Sequence, residues 1–408
     1  MSDISRSPGT GGKRSAPETK FQYARIATPE KPFGFRSGAV LDDLSVGYET
    51  YGQLNPRRDN AILVFHALSG SQHAAGFNSE GPEGMQKRFW TDECHVGWWD
   101  AFIGPGRALD TRRFFVICAN FLGGCYGTTG PASIDPKTGK PYGASFPNPT
   151  ISDIVDSQMR LLDHLQIAHL VAVVGGSLGG CCAINLALRY PDRVHTVIPI
   201  ASGLRATVLT KALNFEQIYA VEEDRNFNRG NYYDGPFPDS GLTLARMISH
   251  KTFVSLNLIE SRARQSIVQP DDVLSGYKLQ NQVESYMLHQ GRKFVKRFDP
   301  NSYLRILNAW QSFDLPRELE QTDSSKLFRA CRAQDWLLFT ISSDVCFFPE
   351  EQVEMAEGLK KNRASYTHIT VNSDKGHDSF LLEPDHYKPY ISYKLGESYE
   401  KLTGNFDI

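Results

Sequence analysis

One serine set among glycines limits the possible folds of this chain more than any other feature. The run VVGGSLGGCCA, residues 173–183, ends an apolar stretch and begins a helical one, with Ser177 at the junction. Small residues on both sides of a serine allow a tight, strained strand-to-helix turn that exposes the hydroxyl at the edge of a sheet. A phosphate-binding loop is the alternative, but no lysine follows at the required spacing and the G-x-G-x-x-G pattern is absent. The run therefore predicts a nucleophilic serine.

Continuous apolar runs along the chain predict a mostly parallel sheet. Runs without alternation of polar and apolar residues are typical of strands whose two faces are both covered by helices. Helical periodicity appears between them in residues 151–167 and again in residues 181–193, where we expect the helix to stop near Pro191. This alternation of strands and helices predicts an α/β fold. The predicted strands are residues 61–65, 114–118, 170–174, 196–200, 336–341 and 366–371.

The strand pattern is interrupted in the middle of the chain. Convincing strand runs disappear there, and long amphipathic stretches such as residues 241–264 take their place. Because the sheet needs strands from both sides of this segment, we interpret it as a helical insert in one α/β domain. The first residues are polar and rich in Gly, Ser and Pro, without an apolar signal segment. The predicted organisation is a disordered tail at residues 1–20, a core at residues 21–203 and 324–408, and a helical insert at residues 204–323.

Charge and cysteine content argue against several classes of protein. The formal net charge of −2 over 408 residues offers no electrostatic basis for binding nucleic acid or an anionic membrane. No apolar run approaches the roughly 20 residues needed to span a bilayer. Seven cysteines without C-x-x-C spacing argue against a disulfide scaffold and favour a reducing cytoplasm. His66 and His73 lie in one loop without a carboxylate or cysteine cluster, so no metal site is predicted.

A serine hydroxyl needs a base to activate it, and the base needs a carboxylate to orient it. After a turn of this type the acid and then the histidine are expected further along the chain. Asp344 follows one predicted strand and His377 follows the next, which is the required order. We therefore predict that Ser177, Asp344 and His377 form a catalytic triad. Weaker alternatives are His386 for the base and Asp335 or Asp374 for the acid.

The negative charge that develops during attack by the serine needs two backbone N–H donors. Leu178, directly after the nucleophile, is predicted to supply one. Leu68 is predicted to supply the other, since the sequence HALSG, residues 66–70, follows an early strand. A plain connecting loop is the alternative interpretation of HALSG.

A series of stretches between residues 44 and 382 resembles one known family. The stretches are YETYGQLN, NAILVFHALSGSQHAAG, GWWDAFIGPGRALDTRRFFVICAN, GGCYGTTGPASIDPKTGKPYG, VVGGSLGG, GLTLARMISH, FVKRFDPNSYL and GHDSFLLE. The family they resemble is the α/β-hydrolase-fold homoserine O-acyltransferases of methionine biosynthesis, which includes acetyltransferases, succinyltransferases and some serine O-acyltransferases. The resemblance implies an α/β-hydrolase fold, a mostly parallel sheet flanked by helices, with a helical lid insertion.

The resemblance also implies roles for two charged residues outside the triad. Arg246, in GLTLARM, would reach from the lid to the carboxylate of the acceptor amino acid, and Asp378, in GHD, would bind its ammonium group. The simpler alternatives are a surface salt bridge for Arg246 and a loop cap for Asp378. Arg205 and Arg297 stay open as substitutes for Arg246.

The implied reaction is a two-step acyl transfer that uses acyl-CoA as co-substrate and no bound cofactor. Ser177 would carry the acyl group, and the lid would keep water away from this intermediate. In the family, the residue two positions after the triad aspartate resembles a position that selects the acyl donor. It tends to be Arg in enzymes that use succinyl-CoA and Leu in enzymes that use acetyl-CoA. This chain has Cys346 there, which offers no cation for a buried succinyl carboxylate, so acetyl-CoA is the expected donor.

The expected acceptor is L-homoserine, with L-serine as acceptor or succinyl-CoA as donor left open. An esterase or thioesterase would share the triad but would not need the pair Arg246 and Asp378. A non-catalytic binding protein of this fold would typically lose a triad member, and all three are present. The predicted partners are small-molecule substrates, with no nucleic acid and no membrane, and the resemblance implies a homodimer formed through the lid.

Overall fold

A computed structural model of the chain describes residues 19–83, 86–265, 273, 274, 276–321 and 323–404. Eight of the described strands form one sheet in the order β1-β2-β4-β3-β5-β6-β7-β8. Only β2 runs antiparallel to its neighbours, and the other pairs are parallel. The predicted α/β fold with a mostly parallel sheet is confirmed. The strands are β1 Gln22–Ala27, β2 Leu44–Tyr51, β3 Ala61–Phe65, β4 Phe115–Ala119, β5 Leu170–Gly176, β6 Val194–Ile200, β7 Asp335–Ile341 and β8 Ser365–Val371.

The predicted strands lie where the continuous apolar runs placed them, with shifts of one or two residues at the ends. The prediction missed β1, at the edge of the sheet, and β2 beside it. Both strands interrupt their apolar residues with polar and charged ones such as Arg25 and Glu49. Of the predicted N-terminal tail, residues 1–18 lie outside the described residues.

Helices cover both faces of the sheet. The first and second helices and the tenth pack on one face, while the twelfth, together with Trp99 and Phe102, packs on the other. The second helix ends at Arg189, just before Pro191, as predicted. The helices are α1 Ile151–His164, α2 Leu178–Arg189, α3 Val208–Glu222, α4 Asp239–Phe253, α5 Leu256–Gln265, α6 Gln282–Val295, α7 Pro300–Gln311, α8 Leu315–Glu318, α9 Ser324–Leu327, α10 Pro349–Lys361, α11 Ser379–Leu382 and α12 Lys388–Thr403.

The helices α3 to α7 lie between β6 and β7 in the chain, where the sequence predicts an insert. Its two ends meet, because the Ala206 N–H donates to Phe313 O and the Leu315 N–H donates to Leu204 O, each at 2.9 Å. We call α3 to α7 the lid; the exact bounds of insert and core stay a prediction.

The amphipathic stretch 241–264 forms two helices, α4 and α5, rather than one. The break lies at Val254 and Ser255, where the Ser255 N–H leaves the helical pattern and donates to Lys375 O at 3.1 Å. A Cβ on Gly376 would lie 2.6 Å from Ser255 N, so the two segments touch backbone to backbone. The break therefore seats the lid on the loop that carries His377.

Candidate active site

Ser177 occupies a strained turn between β5 and α2. Its backbone has φ 60° and ψ −131°, a conformation that non-glycine residues adopt only where surrounding contacts enforce it. Those contacts are present, since the Ser177 N–H donates to Ile200 O at 2.9 Å and the Ser202 hydroxyl donates to Ser177 O at 2.9 Å. The side chain is 5% exposed. The strained strand-to-helix turn that the sequence predicts is present, and the nucleophilic role of Ser177 stays a prediction.

The glycines around Ser177 are required by close approach of neighbouring backbone. A Cβ on Gly175 would lie 2.3 Å from the carbonyl carbon of Gly179, and one on Gly179 would lie 2.3 Å from Phe65 O. The second distance shows that the first turn of α2 lies against the end of β3. The loop 66–70, which carries Leu68, starts at that end.

His377 and Asp344 form a buried pair. The His377 Nδ1 donates to Asp344 Oδ2 at 2.7 Å, while Asp344 Oδ1 accepts the N–H groups of Cys346 at 2.7 Å and Phe347 at 3.0 Å. The histidine Nε2 is buried and has no hydrogen-bond partner in the described part of the chain. Nε2 is the atom with which a triad histidine accepts a proton from serine.

His377 also lies on the serine side of the sheet. A Cβ on Gly176, next to the serine, would lie 2.5 Å from the ring of Phe380, and that ring is centred 5.8 Å from the ring of His377. The rings of Phe347 and Phe253 are centred 5.5 Å and 6.3 Å from the imidazole. Three aromatic side chains therefore hold the imidazole in place.

Burial lowers the pKa of His377, but the negative charge of Asp344 and the hydrogen bond to it outweigh burial. The net result is a pKa raised above the ordinary value of histidine. Such an imidazole is a stronger base in its neutral form, which suits proton removal from serine.

The weaker sequence candidates are placed elsewhere. Asp335 begins β7, at the opposite end of the strand from Asp344, and pairs with Lys394 at 3.0 Å. Asp374 is exposed and pairs with Lys375, while His386 lies on the surface 3.8 Å from Glu383.

The two predicted oxyanion donors lie at the start of α2 and in the loop after β3. Leu178 is the first residue of α2, where an N–H has no partner within the helix. Neither the Leu178 N–H nor the Leu68 N–H donates to any residue that the structure describes. Both leucines are buried, so the two N–H groups are unpaired donors in a site that shields charge from water.

Two side chains of opposite charge, Arg246 and Asp378, lie near His377, and neither charged group has a hydrogen-bond or salt-bridge partner among the described residues. The Nη1 of Arg246, on α4, is buried without a hydrogen-bond partner among the described residues, and its guanidinium lies 5.0 Å from the ring of Phe253 and 4.9 Å from that of Phe294. Burial and then the charge of Arg297 lower the pKa of Arg246. No described residue forms a salt bridge with Arg246, so the surface-bridge alternative has no support.

Asp378 follows His377 directly and is bound to the lid through its backbone, since its N–H donates to Phe253 O at 2.8 Å. Its carboxylate accepts no hydrogen bond from a described residue and does not cap α11. Burial raises the pKa of Asp378, and the charges of His377, Arg246 and Arg262 oppose that effect. Arg205, a proposed substitute for Arg246, is instead paired with Glu354.

Cys346 is 6% exposed and lies between the Asp344 loop and the lid, in a cavity lined also by Thr252 and Trp310. Burial, and then the charge of Asp344, raises the pKa of its thiol, which keeps the sulfur neutral. The position therefore offers an uncharged wall and no cation.

One partly buried carboxyl group near the triad was not predicted from the sequence. Glu351 lies in the first turn of α10, its Oε1 accepts the Phe348 N–H at 3.0 Å, and its Oε2 would lie 2.2 Å from a Cβ on Gly203. Burial, together with the charge of Asp344, raises its pKa to about 7. Its only sequence signal is a helix-capping pattern, which is common and points to no function.

The described residues contain neither a cluster of metal-binding side chains nor a helix suited to cross a membrane. No group of three or more His, Cys, Asp or Glu side chains in these residues is arranged to hold a metal ion. None of the helices in the described ranges combines the length and apolar character needed to cross a bilayer.

Comparison with known proteins agrees with the fold. The family model of the alpha/beta hydrolase fold matches residues 60–384. A homoserine O-acetyltransferase of Deferribacter desulfuricans is 41% identical over 382 residues, which are 93% of this chain and 97% of that protein. The chain belongs to the homoserine O-acyltransferase family.

Other relatives in and near this family carry different names. A homoserine O-succinyltransferase of Methylibium petroleiphilum is 42% identical over 368 residues, covering 89% of this chain and 92% of that protein. The crystal structure of esterase E22 superposes with a TM-score of 0.81 at 28% identity, covering 93% of this chain and all of that one. Overall identity therefore does not separate acetyl from succinyl transfer within the homoserine O-acyltransferase family.

Proposed function

We propose that the protein transfers an acetyl group from acetyl-CoA to the hydroxyl of L-homoserine through an acyl-Ser177 intermediate. The observation that carries this proposal is the pair of opposite charges, Arg246 and Asp378, near His377. Neither charged group has a hydrogen-bond or salt-bridge partner among the described residues. An amino acid with a free carboxylate and a free ammonium group would supply both missing partners. The relatives described above, a homoserine O-acetyltransferase and a homoserine O-succinyltransferase, agree with this class of acceptor.

In the first step, His377 Nε2 accepts the proton of Ser177 as the serine oxygen attacks the thioester carbonyl. The N–H groups of Leu68 and Leu178 stabilise the negative oxygen, the C–S bond breaks, and CoA leaves as a thiol with the proton from His377. Asp344 keeps the imidazole in the tautomer that leaves Nε2 available.

In the second step, the homoserine hydroxyl gives its proton to His377 and attacks the acyl carbonyl. The C–O bond to Ser177 breaks, Ser177 recovers the proton, and O-acetyl-L-homoserine leaves. The lid excludes water, which would otherwise hydrolyse the acyl-serine intermediate. Arg246 and Asp378 select an acceptor by both of its charged ends.

The proposed donor is acetyl-CoA rather than succinyl-CoA. The side chain at the selector position, Cys346, is buried and neutral, so it cannot compensate a succinyl carboxylate. A neutral wall is compatible with the methyl group of an acetyl ester.

We further propose a homodimer formed through the lid. The helix α3 presents an apolar face to solvent, in which Val208, Phe215 and Tyr219 are 86%, 61% and 58% exposed. Exposed apolar patches of this kind are typical of interaction surfaces. Sedimentation should give the mass of a dimer for the natural chain and of a monomer for Phe215→Glu.

The proposed compartment is the cytoplasm. All seven cysteines are free thiols in the structure, and six of them are buried. Such thiols persist in a reducing compartment.

Ester hydrolysis is the second candidate activity, because the chain superposes on esterase E22. The deciding experiment measures thiol release from acetyl-CoA by the purified protein, with and without L-homoserine, and with Ser177→Ala as control. Release that depends on homoserine and is lost in the variant supports the acetyltransferase. Release without an acceptor indicates a thioesterase or esterase. No release contradicts acetyl transfer, and succinyl-CoA and L-serine are then tested.

A further inference from the structure

We propose that Arg297, carried by the lid, is a positioning residue that holds the oxyanion loop in its catalytic shape. The loop comprises residues 66–70, and the proposal rests on the role proposed above for the Leu68 N–H. In this view the oxyanion hole is completed by docking of the lid, and the lid contributes to the rate as well as to selection of the acceptor.

The core side of the loop is anchored by a histidine. The Nε2 of His66 accepts the Phe121 N–H at 3.1 Å, so Nδ1 carries the proton and donates to Ala67 O at 2.7 Å. The Gly70 N–H donates to the same oxygen at 2.9 Å. Burial lowers the pKa of His66 to about 4, which keeps this imidazole neutral and its tautomer defined.

Anchoring Ala67 O also orients the next N–H. The peptide between Ala67 and Leu68 is trans, so its N–H points away from its carbonyl oxygen. Two hydrogen bonds on Ala67 O therefore turn the Leu68 N–H away from His66 and leave it unpaired.

The lid side of the loop is anchored by Arg297. Its Nη1 donates to Ser69 O at 3.0 Å, across 228 positions of sequence. The backbone of Arg297 is itself held, because the Tyr126 hydroxyl donates to Arg297 O. The carbonyls of Ala67 and Ser69, the residues on either side of Leu68, are thus held, one by the core and one by the lid. Rotation of the Ala67–Leu68 peptide would break the hydrogen bonds to Ala67 O, and the bond from Arg297 holds the chain two peptides further on.

Arg297 also joins the oxyanion loop to the predicted acceptor site. Its guanidinium lies 5.1 Å from the ring of Phe294, and that of Arg246 lies 4.9 Å from the same ring. The charge of Arg297 contributes to lowering the pKa of Arg246, which also indicates that the two cations are close. Binding of an anionic acceptor between them would stabilise the lid arrangement in which Arg297 contacts Ser69.

The chain offers a matched control for the loss of a lid-to-core hydrogen bond. Arg305, on α7, donates from Nη2 to Ala144 O at 3.1 Å, so it also joins the lid to a backbone carbonyl of the core. Ala144 is not part of the oxyanion loop. Replacing Arg305 therefore tests lid docking in general, without a direct effect on Leu68.

The experiment compares Arg297→Met, Arg297→Lys and Arg305→Met with the natural protein. It measures kcat and KM for acetyl transfer to L-homoserine, kcat for hydrolysis of p-nitrophenyl acetate, and the thermal unfolding midpoint. We expect Arg297→Met to lower kcat in both reactions by about 10- to 100-fold, somewhat less than the loss of an oxyanion donor itself. Arg297→Lys, which retains one donor, should recover most of the loss, and Arg305→Met should change kcat less than threefold.

Two outcomes would overturn the proposal. An equal loss of kcat in Arg305→Met would assign the effect to general lid docking. A higher KM for homoserine with unchanged ester hydrolysis would make Arg297 a ligand of the acceptor carboxylate. If Arg297→Met does not fold, Arg297→Gln takes its place, and unchanged hydrolysis in a folded Gln variant equally contradicts the proposal.

The same experiment separates this proposal from the proposed function. Hydrolysis of p-nitrophenyl acetate needs the oxyanion hole but not homoserine. If the natural protein hydrolyses the ester and does not acetylate homoserine, the acyltransferase assignment fails while the effect of Arg297 on hydrolysis still tests the positioning role.

Discussion

The triad pair in the core and Arg246 in the lid are held in opposite ways. In the core, His377 is paired with Asp344 at 2.7 Å, and both oxygens of Asp344 accept hydrogen bonds. In the lid, Arg246 has a buried nitrogen without a partner in the described structure and rests on two aromatic rings. Asp344 thus has its partners within the protein, whereas Arg246 and the nearby carboxylate of Asp378 are left for a ligand.

The energetic cost of the two arrangements differs accordingly. A buried donor without a partner costs about 1–3 kcal/mol, and cation–π contacts recover only part of this. A protein retains such a group where a ligand supplies the missing hydrogen bonds. We therefore propose that the triad in the core acts on acyl esters in general, whereas Arg246 on the lid, together with Asp378, selects the acceptor.

The sharpest test of the core is Asp344→Asn. We expect kcat to fall by about 10⁴-fold for both homoserine acetylation and ester hydrolysis, because the wrong imidazole tautomer is stabilised. In the natural protein His377 must be neutral to act, so activity should fall as the pH drops through its raised pKa. The pH profile of kcat/KM gives the midpoint, and a midpoint below the ordinary histidine value would contradict the strong pairing with Asp344.

The corresponding test of the lid is Arg246→Met. We expect kcat/KM for homoserine to fall by about 100-fold, the value of a charge-assisted pair of hydrogen bonds, while hydrolysis of p-nitrophenyl acetate changes less than threefold. Arg246→Lys keeps the charge but loses the planar pair of N–H donors. Its kcat/KM for homoserine should therefore lie between that of Arg246→Met and that of the natural protein. If both reactions lose the same factor, the separation between core and lid is wrong.

A smaller effect is expected at the border between the two regions, at Cys346. Cys346→Arg places a cation in the neutral wall, and we expect the ratio of kcat/KM for succinyl-CoA over acetyl-CoA to rise about tenfold. Cys346→Leu is the matched neutral control and should keep the preference for acetyl-CoA. A ratio that does not change in Cys346→Arg would show that the donor is selected elsewhere.

The smallest expected effect concerns stability, at Glu351. Its pKa of about 7 in the folded protein exceeds its pKa in the unfolded chain. At pH values between these two pKa values, the folded state therefore keeps a proton that the unfolded chain has lost. The contribution of this group to stability is present at low pH and is lost as the pH rises towards 7. Glu351→Gln, which resembles the protonated form, should therefore gain free energy of unfolding relative to the natural protein between pH 5 and pH 8.

Urea unfolding at the two pH values measures this difference. The exposed neighbour Glu350, in the same turn of α10, provides the matched substitution Glu350→Gln. A difference between Glu351→Gln and the natural protein that is the same at both pH values would contradict the raised pKa.

Much of the fold was predictable because its signals are local. The glycines around Ser177 encode a strained turn through sterics within a few residues, and continuous apolar runs encode the inner strands. The order of Asp344 and His377 along the chain follows from strands whose carboxyl ends meet at one edge of the sheet. The strands β1 and β2 were missed because polar and charged residues, such as Arg25 and Glu49, interrupt their apolar residues.

By itself, the sequence determined the α/β architecture, the serine turn and the candidates for its partners. Only the tertiary structure decided that Phe253, Phe347 and Phe380 enclose His377, that Glu351 lies near Asp344, and that Arg297 reaches Ser69. The physical reason is the distance along the sequence over which each interaction acts. Backbone sterics and hydrophobic periodicity act between near neighbours in sequence, whereas the contact between Arg297 and Ser69 exists only after the lid has packed on the core.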